Sequence, residues 1–350
     1  MRRPRLFIAW LCTYSLVVTV GCGRSVLPGQ GPVALSATQY EQDTHVRLQW
    51  LGASTWVLSR GPDVVVVDPF FTRPSLWTVG TSVLWNGFRY DEARIRAVLP
   101  RLPNGTRFVL IGHAHYDHLM DVPYYLRAAP PGVTFVGSRT VHNILLGFSL
   151  PGVEFRVVDV PDRLGRPLTS GQVRVTPFLG GHAPHFFGIT VMDGTVEQPR
   201  SSPPDDAWDY KLGDTLMYFI DFLGEEDRVV SRIFVIGAAT EPEFSDRISE
   251  DFLAQHPVDA AVLCVPGWDK VSRYPESLLR RLNPTRVVLS HEDDFFQAYL
   301  HGEDPRGGMH FVPFARFEDF GQELHRYAEG RRDHMMIHAP KTGDTICVDC

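Results

Sequence analysis

One short motif, at residues 113–118, limits what this chain can fold into more than any other feature. Its pattern is H-x-H-x-D-H, so four side chains able to bind a metal ion fall within six residues. The apolar, β-prone segment 107–111 before it predicts a buried strand, and the segment 119–127 after it has helical spacing. The motif therefore lies where a strand ends and a helix begins.

The spacing of the motif predicts two metal positions. In an extended chain, residues two apart point the same way, so His113 and His115 are expected to converge on one ion. Asp117 and His118 lie beyond the bend and can reach a second ion. Unrelated surface histidines rarely produce so dense a pattern, which favours a metal site.

The overall composition excludes one class of partner. The chain has 350 residues, of which 44% are hydrophobic and 21% charged, as expected for an ordinary globular protein. Its formal net charge is −7, and the body of the chain has no basic block. Nucleic acid is therefore not an expected partner.

The N-terminal residues 1–22 resemble a bacterial lipoprotein signal. Arginines give a positive start, residues 6–22 carry no charge, and the segment ends at Cys22, the candidate lipidation site. The uncharged run is short for a membrane-spanning helix, which needs roughly 20 residues. We expect a protein of the cell envelope, outside the cytoplasm and anchored to a membrane through Cys22. An uncleaved anchor and a plain secretory signal are the alternatives, and residues 23–44 are predicted to be a linker.

The remaining cysteines give less information. Cys347 and Cys350 form a C-x-x-C pair, but no second such pair exists to complete a four-thiolate zinc site. In an oxidising compartment the pair predicts a disulfide, and an inert tail is the alternative.

Strand and helix patterns alternate throughout residues 45–345, which predicts a single α/β domain. Further strands are predicted near 46–51, 55–58, 64–68, 134–137, 153–160, 172–180, 215–221, 232–236, 260–265 and 285–290. Further helices are predicted near 91–99, 139–146, 274–282, 293–300 and 317–329.

The segment 70–90 is a long loop rich in bulky aromatic residues. Aromatic side chains in a loop beside a metal site are typical of a substrate lid or an apolar pocket wall. The alternative is a loop that packs down as a small additional core.

Three later residues are candidate ligands, because each follows or ends a predicted buried strand. They are His182, Asp221 and His291. Side chains at the carboxyl ends of strands in an α/β sheet gather into one site. Asp68 also ends a strand, and either orients a ligand histidine or forms a turn before Pro69.

These residues together resemble the metallo-β-lactamase superfamily, over roughly residues 45–300. The resemblance implies a four-layer αβ/βα sandwich. It also implies one metal ion held by His113, His115 and His182. A second ion would be held by Asp117, His118 and His291, and Asp221 would lie between the two ions. Within the superfamily, residues 50–52, 68–70 and His291 are similar to the branch that holds N-acyl-phosphatidylethanolamine phospholipase D and sugar-phosphate lactonases.

The chain departs from the family pattern in places. The family often has Gly-Asp-Thr at the bridging position, whereas here that triplet, residues 213–215, precedes a strand and is interpreted as a turn. His185 competes with His182 as a ligand or instead binds substrate. The acidic residues 292–294 beside His291 favour a solvated helix start, and the alternative is that they support the ligand histidine.

The resemblance implies a hydrolase that uses two divalent ions, with zinc expected and iron or manganese as alternatives. Asp117 is the candidate catalytic residue, because it can hold the attacking water or collect its proton. The expected substrate is a phosphodiester, ester or lactone, small or lipid-like. A lactonase of a small soluble molecule, an antibiotic β-lactamase and a non-catalytic metal-holding lipoprotein are the alternatives. The pattern does not predict the oligomeric state.

Overall fold

The computed structural model describes residues 44–350 except 86, 151, 153, 186–187, 299–309, 314 and 332–333. The predicted signal segment, Cys22 and nearly all of the linker lie outside these described residues. Among them, no helix is long and apolar enough to cross a bilayer. Two seven-stranded sheets form the framework.

The first sheet holds the N-terminal strands in the order β14-β1-β2-β3-β4-β5-β6. β3 to β6 run parallel, and β1, β2 and β14 join them antiparallel. Its strands are β1 Arg47–Gly52, β2 Thr55–Arg60, β3 Asp63–Val67, β4 Thr106–Leu110, β5 Thr134–Gly137, β6 Glu154–Val157 and β14 Thr345–Cys347.

The second sheet has the order β13-β12-β11-β10-β9-β8-β7. β10 to β13 run parallel to one another, whereas β9 is antiparallel to both of its neighbours. Its strands are β7 Leu168–Ser170, β8 Val173–Gly180, β9 Thr215–Leu223, β10 Val229–Ile236, β11 Ala260–Cys264, β12 Arg286–Ser290 and β13 Met336–His338.

Helices cover the outer face of each sheet. The helices of the first half are α1 Leu76–Thr81, α2 Glu92–Val98, α3 Tyr116–Leu119, α4 Val122–Arg127 and α5 Arg139–Leu146. Those of the second half are α6 Pro242–Asp246, α7 Glu250–Ala254, α8 Glu276–Leu282 and α9 Phe317–Glu329.

Three apolar cores separate these layers. The inter-sheet core contains side chains of both sheets, such as Trp56, Val65 and Ile220. A second core lies between the first sheet and its helices, and a third lies between the second sheet and its helices. Alternate side chains of the central strands enter opposite cores, so these strands are apolar on both faces. The predicted four-layer αβ/βα sandwich is confirmed.

The C-terminal residues complete the first sheet. β14 pairs with β1, and the Val348 N–H donates to the Val46 carbonyl. Cys347 and Cys350 form a disulfide, as one of the two alternatives predicted. The folded part therefore extends slightly past residue 345.

The aromatic loop 70–90 is partly packed down as an additional core and partly exposed, as a lid would be. Phe70, Phe71 and Phe88 are buried in the core beside the first sheet, where Phe70 and Phe88 meet Tyr116 edge to face. In the middle of the loop, α1 and the turn after it expose Leu76, Trp77, Leu84 and Trp85. The ends of the loop are thus packed down, and its apolar tip faces outward.

The segment after His291 is not the solvated helix start that its charges indicated. Residues 292–294 are all buried, and Asp293 forms an ion pair with Arg73 and accepts a hydrogen bond from the Ala53 N–H. Asp293 also forms a bridge with Phe311, so the described part of 293–300 is not helical. The Asp293 carboxylate is therefore paired with Arg73 and not exposed to solvent as expected.

Asp221 does not lie at the predicted bridging position. Both of its carboxylate oxygens accept hydrogen bonds from Arg232, at 2.7 and 3.0 Å, and both side chains are 1% exposed. Because β9 is antiparallel to β8, its amino end at Thr215 lies beside the end of β8 that leads to His182. Asp221 stands six residues farther along, about 20 Å away at 3.3 Å per residue.

Replacing Asp221 tests its role in the fold. Because Asp221→Ala leaves the Arg232 charge buried and unpaired, we expect it to lower the free energy of unfolding by about 3–5 kcal/mol. The double variant Asp221→Leu/Arg232→Met should recover most of this loss. Urea denaturation measures the stability, and elemental analysis of folded protein should show unchanged metal content. A stable Asp221→Ala protein that loses metal would contradict this structural role.

Candidate metal centre

The motif at residues 113–118 lies where β4 and α3 meet. After β4, the Ile111 N–H still donates to β5 at the Val136 carbonyl, so the chain leaves the sheet just before the histidines. His115 then caps the short helix α3, whose first turn carries Asp117 and His118. All four motif side chains are buried. This location agrees with the strand-to-helix junction predicted from the sequence.

Two candidate ligands come from the second sheet. His182 follows β8, and His291 follows β12 directly. His291 has a φ of 69°, and its N–H donates to the Ala53 carbonyl. A non-glycine residue in this left-handed region costs on the order of 1–3 kcal/mol, and such strain is concentrated at functional sites. Contacts from the first sheet therefore hold His291 in an unfavourable backbone conformation at the cluster.

The six side chains form two adjoining groups. The histidine group consists of His113, His115 and His182, and the acidic group consists of Asp117, His118 and His291. Within each group, the possible ligand atoms lie within 4.8 Å of one another. The rings of His113 and His118 have centroids 3.9 Å apart, so the two groups share a boundary.

The short distances inside each group fit a bound cation. In the histidine group, His113 Nε2 and His115 Nδ1 are 3.1 Å apart. In the acidic group, His291 Nε2 lies 3.4 Å from His118 Nε2 and 3.2 Å from Asp117 Oδ2. Two imidazole nitrogens this close either share one hydrogen or hold a cation between them. Three convergent nitrogen or oxygen donors are the ligand set of a catalytic zinc site.

Hydrogen bonds determine which ring nitrogen of His118 and of His182 is available to bind a metal ion. His118 Nδ1 lies 2.8 Å from Asp68 Oδ2, and His182 Nδ1 lies 2.7 Å from the Ala183 carbonyl oxygen. Each Nδ1 therefore carries the hydrogen, and each Nε2 presents a lone pair. A metal-binding histidine ordinarily donates its other N–H in this way, which orients the ring and strengthens the ligand.

Asp68 lies behind His118, in the orienting role considered for it. Its other carboxylate oxygen accepts a hydrogen bond of 2.7 Å from the Gly112 N–H. The backbone of Asp68 has a φ of 43°, and its carbonyl accepts a hydrogen bond from the Thr55 hydroxyl. Asp68 is thus held at both ends and connects β3, the motif and His118.

Burial and neighbouring charges set the protonation states. Burial lowers the pKa of His113 and His115 well below the ordinary value, and it lowers the pKa of His182 to about 3. Burial raises the pKa of Asp117, but His118 and His291 outweigh this effect and keep the pKa below its usual range. The histidine group is therefore neutral, and Asp117 is a carboxylate. In His118, burial lowers the pKa, but Asp68 and Asp117 outweigh it and raise the pKa above the ordinary value, so a metal ion would displace a proton from this ring.

His185 lies at the edge of the histidine group. Its ring stacks on His182 with centroids 4.8 Å apart, and lies 5.4 Å from the ring of His115. His185 Nδ1 accepts a hydrogen bond from the Val191 N–H, so its Nε2 carries the hydrogen. His182 has an available lone pair at Nε2, whereas His185 has a donor, which favours His182 as the ligand and His185 as a substrate contact.

Two features of the site were not predicted. The Arg73–Asp293 ion pair fixes the chain beside His291, and both side chains are 4% exposed. Gly237, at the end of β10, approaches so closely that a Cβ there would lie 3.0 Å from His118. In the sequence, these features appear only as an Asp two residues after His291 and a Gly at the end of a strand. Neither residue by itself indicates which side chain it contacts.

Comparison with known proteins gives one similar sequence. No family model matches the chain. It is 31% identical over 151 residues to a UPF0173 metal-dependent hydrolase of Methylobacterium nodulans, a match that covers 43% of this chain and 53% of the relative. The chain thus spans about half the length of the curated relative it matches.

Several solved structures align with most of the chain. An isothiocyanate hydrolase from Delia radicum gut bacteria has a TM-score of 0.49 at 16% identity, covering 87% of this chain and 100% of its own. A metallo hydrolase of the archaeon Ignicoccus hospitalis has a TM-score of 0.48 at 17% identity, covering 87% and 98%. A metallo-beta-lactamase fold protein of Bacillus subtilis has a TM-score of 0.46 at 11% identity, covering 87% and 99%.

The role of Asp68 leads to a test. Asp68→Asn keeps the size of the side chain but removes the charge that holds His118 in its ligand tautomer. We expect zinc affinity to fall by about 10–100-fold, the usual effect of losing such a partner. Competition with a chromophoric chelator measures the affinity. Asp63→Asn, at the opposite end of β3, is the matched control and should bind zinc normally. Equal affinity in both variants would show that Asp68 does not support the ligand.

Proposed function

We propose that this protein is a hydrolase whose two adjoining ligand groups each hold a divalent metal ion. The observation that carries the proposal is the pair of convergent groups, side by side at one edge of the sandwich, in which every side chain except the partly buried His182 is buried. The similar sequence from Methylobacterium nodulans, a metal-dependent hydrolase, supports the same reaction class. Zinc suits these mixed histidine and carboxylate ligands.

When bound, the ions would lower the pKa of a coordinated water to near 7 and polarise the bond to be cleaved. The chain's own groups then divide the remaining work. Asp117 Oδ2 lies beside His291 and His118, where it can accept the proton of the attacking water. His185 can donate its Nε2 hydrogen to an oxygen of the substrate, because the Val191 N–H occupies Nδ1.

The aromatic loop supports an amphiphilic substrate for this site. Its base is fixed at the metal centre, where Asp68 holds His118 and Arg73 pairs with Asp293. Its tip exposes Trp77 by 63% and Leu84 by 73%, and no charge occurs between Arg73 and Arg89. Exposed apolar side chains in one segment favour contact with a hydrophobic partner. We therefore infer a phosphodiester, ester or lactone with an apolar chain as the substrate class.

A hydrolysis panel tests the proposed reaction. The panel contains aryl phosphodiesters, lactones, β-lactams, and esters of short and long acyl chains, each with zinc-loaded protein. We expect hydrolysis of a phosphodiester, a lactone or an ester, with higher kcat/KM for the longer acyl chain. Because His113→Ala removes a ligand, kcat/KM should fall by more than about 100-fold. His142→Ala, a half-buried histidine on α5, is the control. Activity that is unchanged in His113→Ala would contradict the assignment, and activity on β-lactams alone would contradict the substrate class.

We also propose that the protein is held at a membrane of the cell envelope through Cys22, as its N-terminal sequence predicts. A lipid anchor would keep the domain close to an amphiphilic substrate, and multiple acyl chains hold firmly where one does not. Cys22→Ala should therefore move the protein from the membrane fraction to the soluble fraction on cell fractionation. Cys264→Ala, a buried cysteine of the body, is the control. Retention of Cys22→Ala in the membrane fraction would contradict lipid anchoring.

A further inference from the structure

In the part of the chain that the structure describes, no carboxylate joins the two ligand groups. Asp221 pairs with Arg232 at the far end of β9. Asp214, in the triplet before β9, is exposed and shares a hydrogen bond with Asp159. Asp68 is occupied by His118 and the Gly112 N–H. Among the described residues, Asp117 is therefore the one carboxylate in either group.

A different segment occupies the position between the groups. Residues 237–240 follow β10, with Gly237 against His118 of the acidic group. At the other end, the Thr240 hydroxyl accepts a hydrogen bond of 2.7 Å from the Gly181 N–H, next to His182 of the histidine group. The segment thus runs from one group to the other.

Within this segment, Ala238 is the position where a bridging side chain would stand. A Cβ at Gly237 would also lie 3.1 Å from Asp68 Oδ2, which leaves no room there. Ala239 packs into the core between the second sheet and its helices. Ala238 is 3% exposed, yet it belongs to none of the apolar cores formed by the described residues. It is a buried methyl group beside a polar site.

We propose that the two groups bind divalent metal ions in sequence and with unequal affinity, the acidic group first and tightly, the histidine group second and weakly. This inference rests on the proposed metal centre and describes how it fills. Asp117 gives the acidic group a negative charge, and Asp68 adds another behind His118. The histidine group offers three imidazoles, with His185 beside them and no carboxylate.

Electrostatics makes the second step weaker. A first ion in the acidic group is attracted by Asp117 and Asp68. A second ion then enters a neutral group whose His113 ring lies 3.9 Å from His118, so it is repelled by the first ion at close range. A shared carboxylate would reduce this repulsion, and Ala238 cannot supply one.

Zinc titration of the full-length protein, stripped of metal by a chelator, tests the order of binding. We expect two steps whose dissociation constants differ by at least about 10-fold, because the first ion opposes the second. His182→Ala should remove the weak step and keep the tight one, whereas His291→Ala should remove the tight step. Two equal or cooperative steps in the unmodified protein, or loss of the tight step in His182→Ala, would overturn the proposal.

Substitution of Ala238 tests the missing bridge directly. Ala238→Asp should strengthen the weak step by about 10-fold or more, and Ala238→Asn, with the same shape but no charge, should leave it unchanged. Circular dichroism shows whether each variant is folded. If Ala238→Asp does not fold, the His182→Ala and His291→Ala titrations test the proposal. An equal response to Asp and Asn in folded protein would contradict the proposal.

Metal titration and the hydrolysis panel separate failure of the unequal binding from failure of the proposed function. Two unequal binding steps without hydrolysis of any panel substrate would support the metal inference and reject the hydrolase. Hydrolysis by a protein that fills both groups in a single step would support the hydrolase and reject the unequal groups.

Discussion

The hydrogen bond between Asp68 and His118 is the contact on which the metal centre most depends. It joins the end of β3 to the motif after β4, and it sets the tautomer of a ligand that touches both groups. Asp68 also accepts the Gly112 N–H, which fixes the chain immediately before His113. One buried carboxylate thereby positions the start and the end of the H-x-H-x-D-H motif.

The sandwich brings the remaining ligands to this contact. The inter-sheet core packs the two sheets together, so β8 and β12 end opposite β3 and β4. The Ala53 carbonyl of the first sheet accepts the His291 N–H, and the Leu216 N–H of the second sheet donates to the Gly112 carbonyl. These bonds between the two halves hold the ligands in register, so the site is a property of the whole domain.

Much of the site could be predicted from sequence because its ligands follow local rules. The H-x-H-x-D-H motif needs one strand and one turn, and His182 and His291 each follow a buried strand within two residues. The same rule gave the wrong answer for Asp221. Strand ends share an edge only when the strands run parallel, and β9 is antiparallel to both neighbours, so its carboxyl end points away from the site. Strand direction depends on pairing across the sheet, which periodicity does not report.

The acidic residues after His291 illustrate a second limit. Their charges favoured solvent, but Asp293 is neutralised by Arg73, which is 220 residues away in the chain. Long-range ion pairs of this kind depend on the assembled fold. The aromatic loop shows the same limit, because Phe71 and Trp77 are equally apolar, yet one is buried and the other exposed.

We propose that two adjoining ligand groups each hold a metal ion. Anomalous X-ray diffraction at the zinc edge, from a crystal of the zinc-saturated protein, measures this most directly. We expect two anomalous peaks, one among His113, His115 and His182, and one among Asp117, His118 and His291. A single peak at saturation, or a peak at Asp221, would contradict this proposal.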